Sequence, residues 1–123
     1  RSAQRIMADT EYDIAFEGED FLEKLTPKMR ADLFLFFKEC LVNISRHADA
    51  SQFHCRLTAD NKNILLSISD NGKGMSDPAK NKVPSSLKRR ARLLGASVTA
   101  EPSESGGTRI TLKFKPRKFR IRI

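Results

Sequence analysis

Five stretches of the chain alternate apolar and polar residues with a period of two, and two others repeat apolar residues at helical spacing. "YDIAFEG" predicts a first strand, followed by an acidic connector. Thr26-Pro27 then supplies a helix start, with Thr as N-cap and Pro as first helical residue, and the periodicity runs on to about Ala48. On that helix Leu33, Phe37, Cys40, Leu41 and Ile44 form one apolar stripe at about 100° per residue. "SQFHCRLTAD" and "NILLSISD" alternate on either side of the turn residues "DNKN" and predict a hairpin. Residues 71 to 83, rich in Gly, Asp, Asn, Pro and Lys, read as a long loop. A second helix is predicted from Pro84 to Leu94, ending at Gly95, and "SVTAEPS" and "TRITLKFK" form a last strand pair joined by "SESGG". No internal repeat is present. This order predicts a two-layer α/β sandwich, a mixed sheet covered on one face by helices.

Some polar residues fall where the pattern expects apolar ones. Asp70 shares the parity of Ile64, Leu66 and Ile68, so it points toward the core at the strand end, where a desolvated carboxylate without a partner would cost several kcal/mol. Either the site supplies that partner, or Asp70 caps its own turn through nearby backbone amides. Thr108 shares the inward parity of Ile110, Leu112 and Phe114, beside a glycine pair. Glu39, Asn43 and His47, spaced by four, make a line along one side of the first helix at the border of its apolar stripe. Such a line also occurs on ordinary surface helices, and a His near a helix C-terminus suits the dipole. The inward polar groups beside glycines suggest a pocket at one end of the sheet.

The chain has 123 residues, enough for one domain with a single core. We expect residues 1–115 to form it, with 1–10 a linker and 116–123 a basic tail. A sequence that begins "RSAQRIMADTEYD" is expected to be part of something longer. No apolar run approaches the roughly 20 residues that span a bilayer, so no membrane contact by this fragment is expected. Cys40 and Cys55 lie inside a helix and a strand pattern, which suits buried thiols in a reducing, cytoplasmic setting. Net charge is +8, concentrated in "KNKVPSSLKRRAR" and "KFKPRKFRIRI", and favours phosphates, nucleic acid or an acidic surface. Nucleic acid has charge alone to support it, since the chain has no Trp, one Tyr and no recognition motif.

"KECLVNISRHADAS", then "DNGKGM", then "RRARLLGASV…ESGGTRITLKF" resemble, in order and over roughly residues 30 to 115, the ATP-binding domain of bacterial sensor histidine kinases. The likeness is to the subgroup whose helix reads E-x-x-x-N-x-x-[KR]-H-A, and it implies the Bergerat fold shared with gyrase, the MutL mismatch-repair proteins and the ninety-kilodalton heat-shock chaperones. By this resemblance Asp70 accepts from the adenine amine, Gly72 and Gly74 let the backbone pass beneath the base, Thr108 supports Asp70, and Met75, Ser86 and Gly107 complete the nucleotide site. Asn43 holds Mg²⁺ through its carbonyl oxygen, Glu39 polarises a metal-bound water or acts as general base, and Arg46 and His47 approach the phosphates.

The implied activity is transfer of the ATP γ-phosphate to a histidine on a separate dimerisation domain of a homodimeric protein, which then serves a response regulator. Neither His47 nor His54 is placed to be that acceptor. A serine kinase of the anti-sigma-factor type shares the same boxes and is the alternative. One departure is visible: relatives carry G-L-x-G-M where this chain has Val83, Pro84, Ser85, Ser86 and Leu87. The loss of both glycines puts the phosphate cradle in doubt and raises a degenerate, regulatory domain as a further reading. Ser86 offers an amide and a hydroxyl there, and Lys73, Lys80, Lys82 and Arg90 offer charge.

Overall fold

The computed structural model describes residues 11–17, 23, 25–44, 52–60, 62–72, 83–103 and 106–115. The expected linker 1–10, the helix extension 45–48 and the basic tail 116–123 lie outside the described residues. Among the described residues seven elements follow the predicted order: β1 (Glu11–Glu17), α1 (Pro27–Asn43), β2 (Gln52–Ala59), β3 (Ile64–Asp70), α2 (Ser85–Leu93), β4 (Ser97–Pro102) and β5 (Thr108–Phe114).

The strands form one mixed sheet in the order β1-β2-β3-β5-β4. β1 and β2 are parallel, as two neighbouring strands separated in sequence by a helix must be when the chain crosses back over one face. The other three pairings are antiparallel. Cys55 pairs with Ile68 and Ile68 with Ile110, so the inward parity runs in register across the middle of the sheet. Every second residue of β3 and β5 is buried, and the intervening ones are half-buried or exposed. Only one face is therefore covered, and the sandwich has two layers.

α1 begins as its sequence dictates. The Thr26 hydroxyl accepts the Met29 N–H at 3.2 Å, and Pro27 needs no donor in the first turn. Its buried stripe is Met29, Leu33, Phe36, Cys40, Leu41 and Ile44. Phe36, with no exposed surface, takes the central place that the periodicity assigned to Phe37, which is only partly buried. Phe36 lies three residues after Leu33 and four before Cys40, and Phe37 four after and three before, so the helical period admits both and packing against the sheet selects Phe36. α2 buries Leu87 and Ala91. It ends in paired bonds from Ala96 N–H to the Ala91 carbonyl and from Gly95 N–H to the Arg92 carbonyl, each 3.0 Å, with Gly95 at φ 65°. At the β2–β3 turn the Asp60 Oδ1 accepts the N–H groups of Lys62 and Asn63, each at 2.8 Å.

Candidate nucleotide site

β3 ends in a carboxylate where the alternation calls for an apolar residue, and the side chain stays inside: Asp70 is 0% exposed. Its Oδ1 accepts the Gly72 N–H at 2.9 Å, and Oδ2 is closed off from solvent as well. The turn-capping bond is thus present, together with the inward direction that parity predicts. One oxygen closes the turn that follows the strand, and the group as a whole is part of the interior. Phe53, fully buried, faces Asp70 across β2.

On the other side β5 approaches. Ser69 pairs with Arg109, so one step further along the ladder Asp70 stands beside Thr108, which is 5% exposed. Gly107 precedes it and is buried; a Cβ there would run into the carbonyl oxygen, the Oδ1 and the carbonyl carbon of Asp70. The expected neighbours Asp70, Gly72, Gly107 and Thr108 therefore form one cluster. Asn71, which the sequence pattern predicts only as loop, also has a part. Its side-chain oxygen accepts the Gln52 N–H at 3.0 Å and its own N–H donates to the Gln52 carbonyl at 3.2 Å, which prolongs the β2–β3 pairing past the strand end. An Asn directly after a strand, with tolerance for turns, was the available signal.

Asn43 is the last residue of α1 and is buried, and Glu39 one turn earlier is half-buried. The Asn43 amide nitrogen donates to the Glu39 carbonyl at 2.8 Å and to the Glu39 carboxylate at 3.4 Å. A carbonyl oxygen only accepts, so the nitrogen is the atom committed to the helix, and Oδ1 is the atom offered to a ligand. An amide oxygen beside a carboxylate is the hard donor set a magnesium ion takes, with nucleotide phosphates supplying the rest. The residues present fit that ion. β1 and β2 are parallel with α1 between them in sequence, so α1 returns the chain to the start of β2, where Gln52 bonds to Asn71 next to Asp70.

α2 opens on the segment Val83 to Leu87, where the resemblance implies the loss of two glycines. Pro84 stands at the N-cap and offers no side-chain bond. Leu87 is fully buried and Val83 packs against the core, so those two positions serve the interior, while Ser86 in the first turn and Arg90 in the last are half-buried. Arg46, His47, Gly74 and Met75, with Lys73, Lys80 and Lys82, lie outside the described residues.

Residues 29–118 match the family described as histidine kinase-, DNA gyrase B-, and HSP90-like ATPase. The chain belongs to this ATPase family. Among curated members it is similar to the nitrate/nitrite sensor protein NarQ of Escherichia coli, 30% identical over 98 residues, and to the sensor histidine kinase YxjM of Bacillus subtilis, 28% identical over 92 residues. These matches cover 74% and 75% of the chain but only 17% and 23% of the two relatives, so it spans about a fifth of their length. Solved structures of the same fold include the ATP binding domain of PrrB from Mycobacterium tuberculosis, with TM-score 0.68 at 19% identity over 94% of this chain and 87% of that one. The blue-light activated histidine kinase EL346 of Erythrobacter litoralis gives TM-score 0.70 at 16% identity, over 94% of this chain and 40% of the other.

Proposed function

We propose that this chain is the ATP-binding catalytic domain of a sensor histidine kinase, which delivers the γ-phosphate of ATP to a histidine on a separate dimerisation domain for relay to a response regulator. Membership of the ATPase family and the sensor proteins among its relatives support the reading. The observation that carries it is the fully buried carboxylate of Asp70 at the end of β3. A carboxylate in that place rewards a ligand that brings an N–H donor. The exocyclic amine of adenine does so, and a base that presents a carbonyl there is rejected because acceptor would meet acceptor. Oδ1 is held by the Gly72 amide, so the amine falls to Oδ2.

The chemistry at the other end of the site is positional. In phosphoryl transfer the protein orients the reactants and offsets charge. Bound Mg²⁺ would supply the charge that neutralises the β- and γ-phosphates. Asn43 Oδ1 would hold it, and the Glu39 carboxylate, bonded to the Asn43 amide, orients that amide and is placed to order water. Ser86 would meet phosphate oxygens at the start of α2, and Arg90, in its last turn, would add positive charge.

Isothermal titration with ATP and Mg²⁺ tests the assignment. The parent binds, Asp70→Asn weakens binding by about a hundredfold or more, equivalent to about 3 kcal/mol for a lost charged hydrogen bond plus a mispaired group, and Asn43→Asp retains metal-free base recognition while losing transfer. If Asp70→Asn matches the parent, the site is wrongly placed. One specific feature favours a second reading, a nucleotide-free regulatory domain: the glycine segment is replaced by Val83 to Leu87, two of whose side chains pack inward. A parent that neither releases heat nor competes for a labelled nucleotide would select it.

A further inference from the structure

We infer that Gly107 is a positioning residue for base recognition: the missing side chain at this one position lets β5 close against Asp70 and sets the direction of its carboxylate. This rests on the adenine-reading role proposed above for Asp70. The three atoms that a Cβ on Gly107 would meet are the carbonyl oxygen, carbonyl carbon and Oδ1 of Asp70. Two of them are backbone. Relief therefore requires the end of β3 to move, and a swing of one side chain does not suffice.

Neither partner is free to retreat. Asp70 is paired with Phe53 on one side, and the adjacent Ser69 with Arg109 on the other. The Gly107 carbonyl accepts the Ser103 N–H at 2.8 Å, and the Ser103 carbonyl accepts the Gly106 N–H at 3.0 Å, so the β4–β5 turn holds Gly107 in place. Oδ1 is thus lodged between the Gly72 amide, at 2.9 Å, and the Gly107 backbone. The two oxygens of a carboxylate are rigidly related, so fixing one aims the other. Gly106 serves a different need. Its φ of 100° suits a residue without Cβ, but nothing lies within 4 Å of where a Cβ would go. Two adjacent glycines therefore separate two requirements: backbone conformation at Gly106 and clearance for Asp70 at Gly107.

The test compares dissociation constants for ATP, GTP and inorganic tripolyphosphate, each with Mg²⁺, by isothermal titration. In Gly107→Ala the ATP-over-GTP preference of the parent should fall by roughly tenfold or more, the scale of discrimination one mis-aimed polar group forfeits, while tripolyphosphate binding is unchanged. Gly106→Ala should lower the melting temperature and leave the ATP-to-GTP ratio intact. Proportional weakening of all three ligands in Gly107→Ala would mean a merely structural role and overturn the inference, as would an unchanged ratio. If Gly107→Ala lacks a cooperative melt, Ser103→Pro decides. It removes the N–H that tethers Gly107 and should reduce the ratio by roughly threefold; no reduction overturns the inference. A parent without preference for ATP would instead refute the role of Asp70 itself, so the two failures are distinguishable.

Discussion

Desolvating a carboxylate costs several kcal/mol, so a residue such as Asp70, with no exposed surface, is retained only where the fold or a ligand offsets that cost. Its inward direction was legible from parity alone, as was that of Thr108. The close approach of Gly107 was not, because a strand pattern reveals which face a residue occupies and not which backbone passes against it. Cys40 and Cys55 show the same interior acting on thiols. Burial, with smaller contributions from Cys55 and Glu39, holds Cys40 well above its ordinary range, and burial pushes Cys55 up to about 12. In the unfolded chain a thiol ionises near about 8.5. Below that pH both states keep the proton and the stability is fully present. Between it and about 12 only the unfolded state loses the proton, so stability falls as pH rises. Urea midpoints at pH 8 and pH 10 should show this fall, and it should be shallower in Cys40→Ala/Cys55→Ala than in the parent; equal slopes would contradict it.

Among the elements, α1 links sequence to site most directly. A Thr-Pro start and an apolar stripe fix where it begins and which side it buries, and the same geometry carries Glu39 and Asn43 along the border of that stripe. The stripe itself was legible, but its centre was displaced by one residue, since both Phe36 and Phe37 satisfy a loose helical period and only packing against the sheet selects between them. The difference is measurable. Phe36→Ala should cost about 3–5 kcal/mol in urea unfolding, as full truncation of a buried aromatic does, and Phe37→Ala markedly less. Equal losses would argue against the observed rotation of α1. α2 is a case where two elements of one chain receive different terminal chemistry. It lacks a side-chain cap at Pro84 but ends in a glycine-closed turn with Arg90 and Arg92 in its last turn, which suits the dipole there.

For the whole molecule, the proposed function predicts a division of labour. The 123-residue chain, incubated with ATP labelled at the γ-phosphate, should bind nucleotide yet incorporate no acid-labile phosphate, and should phosphorylate a separately supplied dimerisation domain carrying the acceptor histidine. Labelling of the chain itself would refute that division. The sequence by itself determined the seven elements of the described residues, their order and the buried faces of β2, β3 and β5, because alternation, helical period, caps and turn residues are encoded within a few neighbouring positions. Only the tertiary structure decided that β5 inserts between β3 and β4, that β1 lies parallel to β2, and that Gly107 closes on a carboxylate 37 positions earlier in the chain. Those outcomes depend on which surfaces fit together once every element must bury its apolar face at the same time, and no local pattern records that fit.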